Sequence, residues 1–385
     1  MSARRKPRVV HVYKDFWPPI VGGIERCINW IAVETQRRGD WDVTVLVNSR
    51  SRQTRERVHE GVRIVEVGEW GRKFSAPIAP AFPAWLGKLE ADVWHFHIPN
   101  PTGDVSWLLR RPCGAVVATY HSDVVRQRWA MGLYAPFLRA FLRRCAVIMP
   151  TSPRLIDSSP FLRAERARCT AVPLGMPLGP FERTAAAAAR ARDVKRAHKG
   201  FPLVVFVGKL RYYKGLQFLV SAMRSLPAVH AVVIGEGPEG PKLQRLAQDL
   251  GVADRVSFPG ELPDEDVVSH LHAADLFVLP SHLPSEAFGL SQVEAMAAGV
   301  AVVSTDLPTG VPFVNQHGVT GLVVPPGNDE ALALAIRELL ADPSRRMRMA
   351  EAALRRARAE FSQEVMVDRV EAVYARAAGF CSPGP

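Results

Sequence analysis

The sequence predicts an α/β protein built from two doubly wound halves. Short apolar runs rich in β-branched residues alternate with helix-length stretches, which is the pattern of parallel sheets flanked by helices. The alternation stops at residues 173–180, where three prolines and two glycines are concentrated, and then starts again. The chain of 385 residues is also long for a single core, so two domains of ordinary size are expected.

The strands and helices can be placed along the chain. The first half is predicted to contain strands at residues 8–13, 43–47, 63–67, 92–96, 115–120, 147–150 and 169–172, with helices notably at 24–38 and 133–144. The second half is predicted to contain strands at residues 203–207, 231–234, 256–258, 276–279, 300–304 and 321–324. A low-complexity stretch at 184–192 indicates a solvated helix, and residues 342–378 indicate two successive helices.

Three regions follow from this reading. We expect an N-terminal domain at 1–177, a C-terminal domain at 178–361, and a C-terminal helix within 362–385 that packs back on the N-terminal domain. Ligands of doubly wound sheets bind at the carboxyl ends of the strands. Polar residues that follow a strand are therefore the first candidates for a functional site.

Composition narrows the compartment and the partners. The net charge of +11 favours anions, which include nucleotides, phosphorylated lipids, an acidic membrane surface and nucleic acid. The five cysteines are scattered without a C-x-x-C pair, so we expect neither a disulfide framework nor a zinc site. The apolar run at 9–13 is too short for a signal segment, and no stretch reaches the roughly 18 to 20 apolar residues of a membrane span. We expect a cytoplasmic protein.

Two carboxylates, Glu286 and Glu294, are the most informative pair in the chain. Glu294 stands in a run so apolar that a buried position is expected, and a buried carboxylate needs a partner such as a hydroxyl-rich ligand. Glu286 lies in the loop before the same predicted helix. Backbone N–H groups at a helix N-terminus favour phosphate, so the loop is a candidate anion site.

In each half of the chain, the first strand is followed by a turn that contains glycine. Gly22 and Gly23 come between a strand and a helix, where they would allow close approach of an anion, although a simple tight turn explains them as well. The second turn contains Lys209, Arg211 and Lys214 after Gly208. Three cations at a strand end suit a diphosphate, and a solvated basic loop is the alternative.

Three histidines of the first half lie on or just after predicted strands. His95 and His97 alternate on one face of a strand, and His121 follows the next strand. Imidazole is a common metal ligand, but the spacing matches no zinc pattern, and we expect no metal site. His121 is better explained as a hydrogen-bond donor that lines a cleft, with a structural histidine as the alternative.

The segment 126–144 mixes aromatic residues with arginines. Arg126, Arg128 and Trp129 open it and are candidates for an acceptor or membrane surface. A basic amphipathic helix can rest on an anionic membrane. A core helix with an arginine-rich outer face is the commoner explanation of such a pattern. Nucleic-acid binding is not expected, because no recognition helix or aromatic RNA-binding motif accompanies the charge.

Taken in order, these motifs resemble a known family. Gly22-Gly23, His121, Gly208-Lys209, Lys214-Gly215 and the Glu286 to Glu294 pair together are similar to retaining glycosyltransferases of family 4. The segments 120–127 and 211–215 further resemble bacterial members that build O-antigen or exopolysaccharide, several of which use GDP-mannose. The resemblance implies the GT-B fold, in which two Rossmann-like domains face each other across a cleft.

The resemblance also implies roles for individual residues. The second domain would hold a nucleotide-diphosphate sugar, with Lys209 and Lys214 on the diphosphate, Glu294 on the ribose and Glu286 on the sugar. The backbone of Phe288, Gly289 and Leu290 would hold phosphate at the helix N-terminus.

From the first domain, Gly22 and Gly23 would approach the phosphate and His121 would touch the sugar. The first domain would present a glycan or polyprenyl-linked acceptor. The same domain could contact the inner face of the cytoplasmic membrane. No cofactor or metal is implied, since the nucleotide sugar is a substrate.

The chain departs from the family pattern at two places. Lys209 stands where many relatives carry arginine, which gives a point charge without a bidentate fork. Phe313 stands where relatives often carry glutamate, in a segment that continues to Asn315. Direct donor contacts from that loop are therefore in doubt, although Gly310 can still offer backbone N–H groups.

Other functions remain open on the sequence. A GT-B sugar-nucleotide epimerase would keep the fold and need no acceptor, and the aromatic and basic segment at 129–141 argues for a second substrate instead. A non-catalytic two-lobed sugar-binding protein would not need lysines opposite two glutamates. A nicotinamide dehydrogenase is disfavoured, because no Gly-x-Gly-x-x-Gly follows either opening strand.

Overall fold

The computed structural model describes residues 5–20, 22–73, 76–123 and 128–379, and the side chains of 128–131 lie outside that description. The chain divides into two compact units. Unit 1 contains the described residues up to Met176 and again those from Gln363 onward, and unit 2 is Pro177–Ser362. The sequence-based boundaries were 177/178 and 361/362.

Unit 1 is built on a seven-stranded sheet. In chain order the strands of the unit are β1 (Arg8–Val12), β2 (Asp42–Ser49), β3 (Arg55–His59), β4 (Val62–Gly68), β5 (Gly71–Lys73), β6 (Ala76–Ile78), β7 (Val93–Ile98), β8 (Ala115–Tyr120) and β9 (Val147–Pro150). The order in the large sheet is β3-β4-β2-β1-β7-β8-β9, and β5 pairs separately with β6. Among the described residues of the large sheet, only β3 runs antiparallel to its neighbour.

Six helices of unit 1 precede the linker to unit 2. They are α1 (Gly23–Arg38), α2 (Phe82–Lys88), α3 (Pro101–Arg110), α4 (Arg128–Leu142), α5 (Pro153–Ser158) and α6 (Pro160–Ala164). Helix α1 ends at Gly39, which has a φ of 84°, a conformation that glycine adopts at little cost. Helix α3 begins after Asn100, whose side chain accepts a hydrogen bond from the Gly103 N–H, while Pro101 occupies the first turn.

Unit 2 is a six-stranded parallel sheet with helices between the strands. The strands are β10 (Leu203–Val207), β11 (His230–Ile234), β12 (Val256–Gly260), β13 (Leu276–Leu279), β14 (Val302–Thr305) and β15 (Gly321–Val324). Their order is β12-β11-β10-β13-β14-β15. The helices are α7 (Ala185–Ala197), α8 (Leu216–Ala222), α9 (Gly240–Asp249), α10 (Asp264–Ala273), α11 (Leu290–Ala297), α12 (Val311–Val314), α13 (Asp329–Ala341) and α14 (Pro343–Glu360).

Both sheets have the strand order of a Rossmann fold, in which the direction of winding reverses once. The reversal falls between β1 and β7 in unit 1 and between β10 and β13 in unit 2. Strands next to such a reversal have their connections on opposite faces, which leaves a crevice at their carboxyl ends. The α/β class and the doubly wound architecture predicted from the sequence are confirmed.

The last helix, α15 (Gln363–Ala377), belongs to unit 1. It lies against α1, where the Gln363 side chain donates to the Trp30 carbonyl over 3.0 Å. Arg38 of α1 also pairs with Glu371 at 2.9 Å. The chain therefore returns to its first unit after completing the second. Among the helices described here, none is long and apolar enough to cross a membrane.

Three features of the sheets differ from the sequence-based prediction, and one of them is the short β5–β6 pair, which was not predicted. Residues 169–172 form only an isolated bridge at Cys169, not a strand. Their N–H groups donate to Ile148 and Pro150, but proline has no N–H to return, so the ladder cannot continue. Strand β3 was missed, because its sequence Arg-Glu-Arg-Val-His has one aliphatic residue and little of the apolar pattern of a buried strand.

Candidate functional site

The basic turn of unit 2 lies at the reversal between β10 and β13. After β10 the chain passes Gly208, which has a φ of 144°, and then a short turn at Tyr212–Lys214. Gly215 closes this turn with a φ of 66°, and a Cβ there would stand 2.1 Å from the Pro280 carbonyl oxygen beyond β13. Glycine is therefore required for the turn to approach the neighbouring strand end this closely.

That approach brings Lys214 against Glu286. The ammonium Nζ lies 2.6 Å from Glu286 Oε2, and the two side chains are only 11% and 9% exposed. The Ser281 hydroxyl donates to the same carboxylate oxygen over 3.1 Å, and the Thr305 hydroxyl donates to the Ser281 carbonyl. The sequence predicted the lysine and the glutamate as site residues, but not the serine and threonine that orient the glutamate.

Lys214 keeps its charge in this setting. Burial alone would lower the pKa of Lys214, but the charge and hydrogen bond of Glu286 and the charge of Glu294 outweigh burial and raise that pKa. A buried ion pair gains stability only when both charges are well satisfied. The site therefore holds a permanent cation at a strand end.

The other predicted residues of unit 2 surround this pair. Lys209 is exposed in the loop after β10, and Glu294 is half-buried on α11. Glu294 is thus neither a fully solvated residue nor a fully buried one, while Val293, Ala295 and Met296 beside it are buried. The charge of Glu294 nevertheless acts on Lys214.

The segment before α11 has a defined backbone. Phe288 is buried, Gly289 has a φ of 77° as the residue that precedes the helix, and Leu290 is the first helical residue. The buried Gln292 amide donates to the Phe288 carbonyl over 2.9 Å and to the Val311 carbonyl over 3.2 Å. The Gln292 side chain thus fixes the loop that carries Glu286, a role the sequence analysis missed.

The loop that departs from the family pattern has a structural explanation. The ring of Phe313 lies 5.2 Å from the Arg356 guanidinium, which donates to the Phe313 carbonyl. The Asn315 amide donates to the carbonyls of Val302 and Leu322, so it ties β14 to β15. The Gly310 N–H donates to the Ala287 carbonyl over 2.7 Å and is therefore already used within the protein.

In unit 1, Gly22 and Gly23 lie where helix α1 begins. Gly22 precedes the helix with extended backbone, and Gly23 is its first residue. A Cβ on Gly22 would stand 2.1 Å from Oε2 of Glu25, a buried side chain that folds back over the helix start. This carboxylate is the far end of a flexible side chain, so it would have to move aside for a Cβ or an anion to occupy the start of the helix.

His121 is buried just beyond β8. Its Nε2 lies 3.2 Å from His97 Nδ1, and its backbone N–H donates to the Ile98 carbonyl. Its Nδ1 has no hydrogen-bond partner among the described residues. Burial lowers the pKa of His121 to about 3, so the imidazole is neutral at physiological pH.

His95 and His97 point from β7 toward His11 of β1. Strand pairing places His11 opposite His95, and all three histidines are fully buried. Their ligand atoms lie within 4.8 Å of one another, a spacing compatible with a metal ion. Each of their ring nitrogens already has a hydrogen-bond partner, however, so the group is satisfied as a hydrogen-bond network.

The candidate surface residues fall mostly outside what can be described. Arg126 lies outside the described residues, and Arg128 and Trp129 belong to α4 with their side chains undescribed. Further along α4, Leu133 is 73% exposed and Phe137 is 49% exposed. These two residues lie one turn apart and so share a face of the helix.

Solved structures share this architecture. Sucrose-phosphate synthase from Thermosynechococcus elongatus has a TM-score of 0.80 and 23% identity, and the match covers 96% of this chain and 98% of that one. The Anabaena HepE chain in complex with UDP has a TM-score of 0.76 and 19% identity, covering 96% and 100%. The fold is therefore that of the GT-B glycosyltransferases.

The sequence comparisons identify the family. Residues 21–178 match the model of Glycosyltransferase Family 4, and residues 188–356 match that of Glycosyl transferases group 1. The O-antigen chain mannosyltransferase C of Escherichia coli is 31% identical over 95% of this chain and 98% of its own. The D-rhamnosyltransferase WbpZ of Pseudomonas aeruginosa is 32% identical over 92% of both chains. The chain belongs to glycosyltransferase family 4, and its resemblance to that family is confirmed.

Proposed function

We propose that this glycosyltransferase moves a hexose, with retention of configuration, from a nucleoside-diphosphate sugar to a glycan or polyprenyl-linked acceptor in cell-surface polysaccharide synthesis. Mannose from GDP-mannose is the first candidate. The names of the Escherichia coli and Pseudomonas aeruginosa relatives support an O-antigen type of product. A structural neighbour in complex with UDP supports a nucleotide donor.

The observation that carries the proposal is the buried pair of Lys214 and Glu286 at the reversal of the unit 2 sheet. A diphosphate at this strand end would be neutralised by Lys214 and by the exposed Lys209. Glu286 would then accept hydrogen bonds from hydroxyls of the transferred sugar, and Glu294 would accept them from the ribose. The backbone of Phe288, Gly289 and Leu290 would face the phosphate at the start of α11.

The chemistry requires stabilisation of a leaving group more than a strong base. The bond between the anomeric carbon and the diphosphate oxygen breaks, its electron pair stays on the diphosphate, and the transition state resembles an oxocarbenium ion. The acceptor hydroxyl attacks from the same face and passes its proton to a leaving phosphate oxygen. Two lysines beside the diphosphate supply the charge that a metal supplies elsewhere, so the proposed reaction uses no metal and no cofactor.

Unit 1 would present the acceptor and would also contact the donor. Gly22 and Gly23 would allow phosphate close to the start of α1, and His121 would contact a sugar hydroxyl through its neutral ring. A neutral contact suits a reaction in which positive charge develops on the sugar, because a histidinium there would oppose it.

An amphipathic face of α4 supports the proposal that the protein acts at the inner face of the cytoplasmic membrane. Leu133 and Phe137 are exposed on this helix, and Arg139, Arg143 and Arg144 near its end are exposed as well. Apolar side chains with arginines beside them suit the boundary of an anionic bilayer. Sedimentation with phosphatidylglycerol vesicles tests this: Leu133→Glu should reduce binding, and Leu334→Glu, at an exposed leucine of unit 2, should not.

The donor is tested by thermal protection with GDP-mannose and with UDP-, ADP- and dTDP-sugars, followed by product analysis without acceptor. We expect one donor to raise the melting temperature and to undergo slow hydrolysis with its sugar otherwise unchanged. Conversion to an epimeric sugar would favour an epimerase. Protection by none of the donors would contradict the proposal.

A matched pair of variants controls this assay. Arg190 and Glu265 form an exposed ion pair in the same unit, on helices α7 and α10. Arg190→Ala should keep the protection seen in the wild-type protein, and Lys214→Ala should lose most of it.

A further inference from the structure

A series of buried polar side chains runs through unit 1 behind His121. Six of them are linked by hydrogen bonds in this order: His121, His97, His11, Tyr374, His95 and Thr119. They come from β1, β7, β8, the residue after β8, and α15. All six are at most 4% exposed. We call this series the histidine chain.

The first half of the histidine chain consists of ring-to-ring contacts. His121 Nε2 lies 3.2 Å from His97 Nδ1, and His97 Nε2 lies 3.1 Å from His11 Nδ1. His11 Nε2 then lies 3.3 Å from the Tyr374 hydroxyl. Each contact joins the second nitrogen of one ring to the first nitrogen of the next, so no ring can change its tautomer without affecting its neighbour.

The second half of the histidine chain runs from Tyr374 to the hydroxyl of Thr119. The Tyr374 hydroxyl lies 2.6 Å from His95 Nδ1, and His95 Nε2 lies 2.7 Å from the Thr119 hydroxyl. Tyr374 is thus the only member of the chain from α15 and joins its two halves. Its hydroxyl can donate in one direction while it accepts from the other.

The histidines of the chain are neutral. Burial lowers the pKa of His11 to about 3 and lowers the pKa values of His95 and His97 well below the usual range. A neutral imidazole carries one N–H and one lone pair. Four imidazoles and two hydroxyls therefore supply six protons to five links.

One proton must consequently lie outside the links, at one end of the histidine chain. If the donors point from His121 toward Thr119, His121 Nδ1 is a lone pair and the Thr119 proton is left over. If they point the other way, the extra proton lies on His121 Nδ1. A buried ring N–H without an acceptor is costly, whereas a hydroxyl proton can rotate to find one. The first arrangement is therefore favoured.

We propose that Tyr374 is a positioning residue that, through His11 and His97, holds His121 as the Nε2–H tautomer with an acceptor lone pair on Nδ1. That lone pair is buried and has no partner among the described residues. The use of this acceptor for a sugar hydroxyl rests on the proposed function. The coupling between Tyr374 and the tautomer of His121 does not.

The direct test is nitrogen NMR of the ligand-free protein with ¹⁵N-labelled histidine, in which His121→Gln identifies the His121 signals. We expect the Nε2–H tautomer in the wild-type protein. Tyr374→Phe leaves the packing but removes the hydroxyl that accepts from His11. The extra N–H then lacks an acceptor at His11 Nε2 and at His121 Nδ1 alike, so the Nδ1–H form of His121 should become populated. Thr119→Val, at the far end, should produce the same shift, and Thr119→Ser should restore the wild-type signal.

The control is Tyr134→Phe, which removes another tyrosine hydroxyl of unit 1, one that donates to Asp104 and does not contact the histidines. His121 should keep its tautomer in this variant. The proposal is overturned if His121 is unchanged in both Tyr374→Phe and Thr119→Val, or if the wild-type protein carries the Nδ1–H form.

Kinetics separate this inference from the proposed function. If the protein transfers a sugar, Tyr374→Phe should lower kcat about tenfold, the effect of roughly one hydrogen bond in the transition state, with the donor KM unchanged. A change in donor KM with kcat unchanged would contradict the positioning role. If the wild-type protein turns over no sugar donor, the proposed function fails, and the NMR result still decides the coupling.

Discussion

The two units place different buried polar groups near the reversal of their sheets. Unit 1 buries neutral imidazoles in a hydrogen-bonded series, and burial lowers the pKa of each of them. Unit 2 buries a charged pair, and the carboxylates around Lys214 raise its pKa despite burial. The same strand order and the same strand-end position therefore support two different electrostatic environments.

The difference has a chemical meaning. A neutral acceptor such as His121 can hold a hydroxyl without attracting or repelling a charged transition state. A fixed cation such as Lys214 can stabilise negative charge that develops on a leaving group. In the proposed reaction, the cation of unit 2 would act on the leaving group and the neutral His121 of unit 1 would contact a sugar hydroxyl.

The largest effect is expected on removal of Glu286. Glu286→Ala leaves Lys214 buried without its main counter-ion and should lower the unfolding free energy of unit 2 by about 3–5 kcal/mol. Urea unfolding followed by circular dichroism measures this. All eight tryptophans lie outside residues 177–362, so tryptophan fluorescence follows unit 1 separately and should hardly change.

The exposed pair supplies the control for that prediction. Glu265→Ala removes the partner of Arg190 at the surface and should change the unfolding free energy by less than about 1 kcal/mol. An equal loss in the two variants would mean that burial of the Lys214 pair has no special energetic consequence.

Turnover should be the next most sensitive quantity. Lys214→Ala removes the cation proposed to stabilise the leaving diphosphate, and kcat should fall about 10²–10³-fold, the usual cost of one such group. Steady-state kinetics with the best donor of the panel measures it, with Arg190→Ala as the reference. A Lys214→Ala enzyme with wild-type kcat would exclude this role.

Acid should destabilise unit 1. His11 and His121 have pKa values near 3 when folded and near 6.5 when unfolded, so the unfolded state binds more protons between these values. Stability is then complete above pH 6.5 and falls as the pH drops. At pH 5 each of these two histidines should lower the unfolding free energy of unit 1 by about 2 kcal/mol. Urea midpoints from tryptophan fluorescence at pH 7.5 and 5 test this, and a constant midpoint would argue against neutral burial.

The smallest effect is expected at Glu294, which is half-buried. Glu294→Ala should weaken binding of a nucleoside diphosphate about tenfold through loss of a charged hydrogen bond to ribose. Binding of inorganic pyrophosphate, which has no ribose, should not weaken. Calorimetric titration with both ligands distinguishes a ribose contact from a general charge effect, which would alter both affinities.

The spacing of residues along the chain was sufficient to predict much of the fold and part of the candidate site in unit 2. The parallel strands are buried on both faces and so appear as continuous apolar runs, such as β10 and β13. Lys214 and Glu286 both follow such runs, and sheet topology brings strand ends together. The edge strand β3 lacks the apolar pattern and could not be recognised in this way.

The histidine chain could be predicted only in fragments. His95, His97 and His121 were visible because they lie on or after neighbouring strands. His11 lies opposite His95 only because β1 pairs with β7, and Tyr374 comes from a helix 363 positions later in the sequence than His11. Histidines at matching positions of two buried strands were the available signal. No pattern in the sequence indicates that α15 supplies the joining hydroxyl.

The central claim is that the Lys214 site of unit 2 binds the diphosphate of the donor. Its most direct test is calorimetric titration of GDP and of UDP into the wild-type protein, Lys214→Ala and Arg190→Ala. We predict that at least one nucleotide binds the wild-type protein and Arg190→Ala equally, and binds Lys214→Ala about tenfold or more weakly. Equal affinity in all three proteins, or no binding of either nucleotide, would contradict the claim.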